Sequence, residues 1–110
     1  MNVKINRIKR IEEMLLQKPD DSFLNYALAM EYMGNSEWNV AETLLLKVIR
    51  LDPNYVASYY QLAQVYEQLS RRDEAISTYK KGIEIAQNLR DMHTLSELRS
   101  ALNALLFDDE

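Results

Sequence analysis

A chain of 110 residues with 47% hydrophobic and 27% charged side chains is long enough for one folded domain and too apolar for a disordered segment. It has no cysteine, which excludes disulfides, thiol catalysis and cysteine-ligated zinc and fits a reducing compartment. The net charge of −4 hides an asymmetry: residues 1–18 carry a net +3 and residues 19–110 a net −7. An acidic body repels phosphates, so no nucleic-acid partner is expected.

The first predicted element covers residues 3–17. Ile5, Ile8, Ile11 and Leu15, with Met14 adjoining, form one apolar stripe, and the basic residues are the solvated face behind it. This interleaving offers no continuous apolar core for a signal peptide, and no stretch approaches the roughly 20 apolar residues that span a bilayer. The expectation is a cytoplasmic protein with no membrane partner.

Next comes a run that is apolar nearly all the way round, from Phe23 to Met33, broken by Asn25 and Glu31. A surface helix needs one apolar stripe, so the excess calls for cover. Part of it is explained by an internal repeat. Pro19 and Pro53 stand 34 residues apart, and residues 22–55 align without a gap on residues 56–89 with nine identities. Tyr26, Leu28, Ala29, Tyr32, Ser36, Ala41, Lys47, Ile49 and Asn54 recur as Tyr60, Leu62, Ala63, Tyr66, Ser70, Ala75, Lys81, Ile83 and Asn88.

Each copy reads as a helical hairpin. The first helix should open just after its proline, capped by Asp20 or Asp21 in copy one and by Asp52 in copy two. Gly34 and Asn35 should supply the left-handed turn that closes it. Ser36 and Ser70 should start the second helices, Ser70-x-x-Asp73 as a capping box and Ser36-x-x-Asn39 as a weaker one. Leu28, Ala29 and Tyr32 share one side of the first helix, as do Leu62, Ala63 and Tyr66. In the second helices Ala41, Leu45 and Val48 match Ala75, Tyr79 and Gly82, a small–large–small order that lets helices interlock.

The last element, residues 91–107, spaces Leu95, Leu98, Leu102 and Leu105 as an amphipathic capping helix. Ala104, Leu106 and Phe107 exceed that stripe; they finish the cap or meet a partner or another copy. Asp108, Asp109 and Glu110 follow. The expected architecture is a single all-α domain, 1–110, of about six helices: an N-terminal helix (3–17), two hairpin repeats (22–55 and 56–89) and a capping helix (91–107).

Catalytic chemistry is missing. His93 is the sole histidine and reads as a surface residue; no metal or cofactor is expected. Gly34 and Gly82 stand too far apart for a phosphate loop. Asp20–Asp21 and Asp73–Glu74 lie at predicted helix starts, where the helix dipole favours negative charge. No nucleophile, base and orienting group come together, so the chain is read as non-enzymatic.

A 34-residue period with Leu-Ala-x-x-Tyr and a later Ala resembles the tetratricopeptide repeat. Tyr59, Leu62, Ala63, Tyr66, Ala75, Tyr79 and Gly82 stand at its signature places in the second copy. The first copy departs at Asn25 and Leu45, and Gln87 replaces the proline that would end the second. The resemblance implies an α-solenoid of antiparallel hairpins wound as a right-handed superhelix. It also implies a concave surface, lined by the first helix of each repeat, that binds an extended peptide or a helix of another protein. The residues of the first helices not used for packing are then Phe23, Tyr26, Met30 and Met33 in copy one and Ala57, Tyr60, Gln64 and Glu67 in copy two. Three covers for the apolar end of this stripe are open: residues 3–17 folding over it, a partner's peptide or helix, or a second copy in a homodimer. Some members of the family clamp a carboxylate with Lys, Arg and Asn. Here Tyr26, Tyr60, Met30 and Gln64 stand at those places, so an apolar or mixed segment is the expected ligand.

Overall fold

The computed structural model describes residues 3–107, with side chains from Asn6 onward, so the side chain of Ile5 and the whole of Asp108, Asp109 and Glu110 lie outside it. Among the described residues there are six helices and no strand: α1 (Val3–Gln17), α2 (Ser22–Gly34), α3 (Trp38–Leu51), α4 (Ala57–Gln68), α5 (Arg72–Leu89) and α6 (Met92–Phe107). They fall into two compact units, one running to Pro53 and one from Asn54.

In the first unit α2 packs on α3, and α1 lies on α2. Leu28 and Ala29 of α2 are buried, as are Ala41, Leu45 and Val48 of α3. Each large apolar side chain so buried contributes about 1.5–3 kcal/mol. Asn25 is buried with them, only 1% exposed, at the place where the second copy has the buried Tyr59. Its Nδ2 donates to the carbonyls of Asp21 (2.8 Å) and Pro19 (3.1 Å), so the side chain ties α2 to the turn before it. Lys47 of α3 donates to the same Pro19 carbonyl at 2.9 Å. Ile8, Ile11 and Leu15 of α1 are half-buried, and Arg7 pairs with Glu31 of α2.

In the second unit α4 packs on α5 and α5 on α6. Tyr59, Leu62, Ala63 and Tyr66 of α4, Ala75, Tyr79, Gly82 and Ala86 of α5, and Leu95, Leu98, Leu102 and Leu105 of α6 are buried. At Gly82 α5 runs close to both of its neighbours. A Cβ there would lie 2.8 Å from the Tyr59 Cβ and 3.2 Å from both Leu98 methyls. Ala104, Leu106 and Phe107, by contrast, do not finish the cap but stand exposed, Phe107 by 62%.

The helix ends depart from expectation. Neither proline sits in a first helical turn: Pro19 and Pro53 occupy the preceding turns, and α4 begins four residues after Pro53. Asp21 does cap α2, accepting the Leu24 N–H at 2.8 Å. Asp52 instead terminates α3, its N–H donating to the Val48 carbonyl, and Val56 stands before α4 without a side-chain cap. Gly34 is the last residue of α2 and Asn35 has φ −96°, so neither supplies the left-handed turn. Ser36 does, with φ 59°, and Ser70 repeats it with φ 58°. The serines therefore close the first helices rather than open the second ones, where Glu37 and Arg71 stand without side-chain caps.

The reason is a hydrogen-bond pattern used three times. Glu37 N–H reaches the Tyr32 carbonyl (2.9 Å), Arg71 N–H the Tyr66 carbonyl (2.8 Å) and Asp91 N–H the Ala86 carbonyl (3.0 Å). Each follows a left-handed residue, Arg90 being the third with φ 56°. This Schellman closure satisfies the last carbonyls of the helix, which offsets the roughly 1–2 kcal/mol cost of left-handed backbone at a non-glycine residue. Arg71 adds its own fixing: its guanidinium lies over the Tyr66 ring at 4.6 Å and donates twice to Glu74 at 2.6 Å. Asp91 caps α6 by accepting from the N–H (3.1 Å) and hydroxyl (2.8 Å) of Thr94, which hold its carboxyl below the usual range.

Candidate functional site

At about 100° per residue, Phe23, Tyr26, Met30 and Met33 occupy one side of α2, turned away from Leu28, Tyr32 and Asn25. Phe23 is 65% exposed, and Tyr26, Met30 and Met33 are half-buried. Helix α1 lies on α2 and reaches it at two kinds of place. Arg7 meets Glu31, and Tyr32 is pushed up from the ordinary tyrosine range by burial and then by the charges of Glu12 and Glu37. Where α1 ends, a cleft of about 340 Å³ opens, lined by Met14, Gln17, Lys18, Asp21, Phe23 and Leu24. Phe23 thus belongs both to the predicted stripe and to this cleft, which periodicity alone did not reveal.

On α4, Ala57, Tyr60, Gln64 and Glu67 are all half-buried. Three of them gather around Tyr79 of α5. Gln64 Nε2 donates to the Tyr79 hydroxyl at 2.6 Å, and that hydroxyl donates to Glu67 Oε2 at 2.5 Å. The Tyr60 ring meets Tyr79 edge-on, with centroids 6.3 Å apart. The polar character of the second stripe is therefore explained within its own unit: a buried tyrosine needs partners for its hydroxyl. The equivalent places in the first copy are Leu45, Met30 and Met33, where no hydroxyl is present and none is needed. All three places change together between the copies, but helical spacing alone did not connect them.

Burial, then the hydrogen bond and charge of Glu67, push the Tyr79 hydroxyl far above the ordinary tyrosine range; Tyr60 adds to the rise and Gln64 opposes it. The folded chain holds this proton more tightly than the unfolded one, whose tyrosines titrate near pH 10. Its contribution is therefore full below about pH 10 and is lost as the pH rises beyond it. Tyr79→Phe is expected to reduce the alkaline loss of stability and to cost about 1–3 kcal/mol at neutral pH, since Glu67 and Gln64 lose their partner. Urea unfolding of both proteins across the alkaline range measures the two effects, and equal pH slopes would refute the assignment.

Among the described residues no group of three His, Asp or Glu could hold a metal, and no helix is long and apolar enough to cross a membrane. His93 is exposed, 3.4 Å from Glu97.

Comparison with known proteins fits this geometry. The tetratricopeptide repeat profile matches residues 56–89, the second hairpin. A tetratricopeptide repeat domain protein from Salinibacter ruber, solved by NMR, is 40% identical over 79% of this chain and 88% of its own, with a TM-score of 0.75. The chain belongs to the tetratricopeptide repeat family. No curated protein matches it. The translocator chaperone SycD of Yersinia enterocolitica type III secretion has a TM-score of 0.88 at 15% identity, covering 96% of this chain and 74% of its own. The TPR2B domain of yeast Sti1, solved as a complex with pHsp70, has a TM-score of 0.87 at 19% identity, covering 93% and 82%. These two share the all-α helical repeat fold. Within the family pattern the first hairpin is the divergent one, and Asn25 shows how: hydrogen bonds to the preceding turn stand where the second hairpin has an aromatic ring.

Proposed function

We propose that this tetratricopeptide repeat protein is a non-enzymatic interaction module whose first-helix faces take an apolar or mixed segment of another protein. The observation that carries the reading is the α2 stripe: Phe23 stands 65% exposed in line with the half-buried Tyr26, Met30 and Met33, on the side of the helix turned away from Leu28 and Asn25. Met is an adaptable contact residue, and Tyr adds area with a polar tip. The Sti1 domain of like fold was solved with a protein ligand, which supports the class of function.

The corresponding face of α4, taken by itself, carries Ala57 and Tyr60, and Gln64 and Glu67, engaged by Tyr79, give it a pre-organised polar border. Since Tyr26, Tyr60, Met30 and Gln64 replace the cationic clamp of some relatives, the ligand is recognised through side chains rather than a terminal carboxylate. Affinity capture from native lysate, with the wild type and a Tyr26→Ala/Met30→Ala variant side by side, tests this. The variant is expected to lose the captured species while melting close to the wild type. Undiminished capture, or a collapse of thermal stability showing that the pair is core, would refute it.

A further inference from the structure

Two exposed apolar features lie outside the Tyr26–Met30–Met33 face: the cleft at the end of α1, which shares Phe23 with that stripe, and the Leu106–Phe107 end of α6. We propose that the cleft between α1 and α2 binds the Leu106–Glu110 segment of a second copy of the chain. The inference shares Phe23 with the capture reading but requires neither Tyr26 nor Met30.

The cleft has the chemistry for such a guest. Met14, Phe23 and Leu24 supply apolar walls, and 340 Å³ lies at the small end of ligand-sized pockets, which run from about 300 to 1,000 Å³. That is room for one aromatic side chain and a neighbour. Met14 and Phe23 are exposed at 48% and 65%, so both walls are accessible. Cations border it. Arg10 stands one turn before Met14 on the same helix face, and Lys18 one turn after, held in helical register by its N–H to the Met14 carbonyl at 3.1 Å. The carboxylate among the lining residues, Asp21, is engaged in capping α2 through the Leu24 N–H.

The guest has the complementary order. Leu106 and Phe107 are 40% and 62% exposed, unlike the buried Leu98, Leu102 and Leu105 of the same helix. Asp108, Asp109 and Glu110 follow in sequence, so an apolar pair is joined to three carboxylates. Charge decides where such a segment goes. Apart from the segment's own three carboxylates, residues 19–107 carry a net −4 (8 basic, 12 acidic) and repel it, whereas residues 1–18 carry a net +3 and attract it. The Tyr26–Met30–Met33 stripe lies on a helix whose own sequence holds no Lys or Arg. The α1–α2 cleft combines the two. Reciprocal exchange between two copies makes the same contact twice in one isologous dimer.

Light scattering after gel filtration, over a wide concentration range at low salt, should show the full chain passing from 12.9 kDa to a dimer of twice that mass. Phe107→Ala should weaken self-association at least about tenfold, because it removes the residue that fills the cleft. Arg10→Glu/Lys18→Glu should weaken it as well, and adding Asp108→Lys/Asp109→Lys to that chain should restore it. These positions are exposed or terminal, and circular dichroism verifies that each variant is folded. Tyr26→Ala/Met30→Ala should leave the dimer unchanged, which separates failure of this proposal from failure of the capture reading. A fluorescent peptide of residues 104–110 completes the test; it should bind the wild-type chain and be displaced as the dimer forms. A chain that stays monomeric at every concentration, or a dimer indifferent to Phe107 and to the charge reversal, overturns the proposal. So does a monomer that admits the peptide only after Phe107→Ala, since its own segment would then occupy the cleft.

Discussion

Gly82→Ala is expected to lower stability by about 1–3 kcal/mol, although alanine is the better helix former. In an exposed helix interior the exchange would stabilise by up to about 1 kcal/mol. Here the added methyl would lie 2.8 Å from the Tyr59 Cβ and 3.2 Å from the two Leu98 methyls. Leu98 can change rotamer at modest cost, but the Tyr59 Cβ is fixed to the backbone of α4. The methyl is therefore accommodated only if α4 and α5 move apart, and that loosens the contacts of Tyr59 and Tyr79, both buried. Overpacking exceeds the gain in helix propensity. A lowered thermal midpoint with the helical signal retained is the expected outcome; a midpoint above the wild type would show that the helices do not approach this closely.

Asn25→Asp is expected to cost about 3 kcal/mol at neutral pH, at the low end for an uncompensated buried charge. It replaces a donor with an acceptor where two carbonyl oxygens, of Asp21 at 2.8 Å and Pro19 at 3.1 Å, already point at the side chain. Lys47, bonded to the Pro19 carbonyl, offsets part of the penalty by its charge. Burial raises the pKa of the new carboxyl above the unfolded value of about 3.9. The deficit should thus be small below that pH and grow as the pH rises through the folded value. Asn25→Ala is the control. The Asp21 carbonyl keeps the Asn25 N–H and the Pro19 carbonyl keeps Lys47, so this variant should lose only about 1–2 kcal/mol, with no added pH dependence. Urea titrations at neutral and acidic pH distinguish the three proteins, and matching losses for the two variants would remove the carbonyl pair as the cause.

What the sequence discloses follows from how often a physical demand is repeated. Leu28, Ala29, Leu62 and Ala63 were legible as core because packing one hairpin imposes the same sizes again 34 residues later. The leucines of α6 were legible through helical spacing alone. Helix closure was not, because the left-handed residue is chosen by its place after the last helical turn and not by its own chemistry. Ser36 and Ser70 bear that conformation while Gly34, the better-suited residue, lies two positions too early. Asp52 misled for a related reason: one carboxylate before a proline looks the same whether it ends a helix or begins the next. On the candidate surface, periodicity placed Gln64 and Glu67 on one face. It could not show that the hydroxyl they serve arrives from Tyr79, 15 and 12 residues further along.

The shallow seating of α1 has a consequence for motion. None of its described side chains is fully buried, whereas α6 is anchored by four buried leucines. The chain is therefore expected to open unevenly: α1 should fray at a small fraction of the global unfolding free energy, while α6 should hold until the second unit opens as a whole. One wall of the α1–α2 cleft would then form and open with α1. A guest seated there binds the closed form alone and pins α1 in place by mass action, so occupancy of the cleft and protection of α1 amides from exchange rise together.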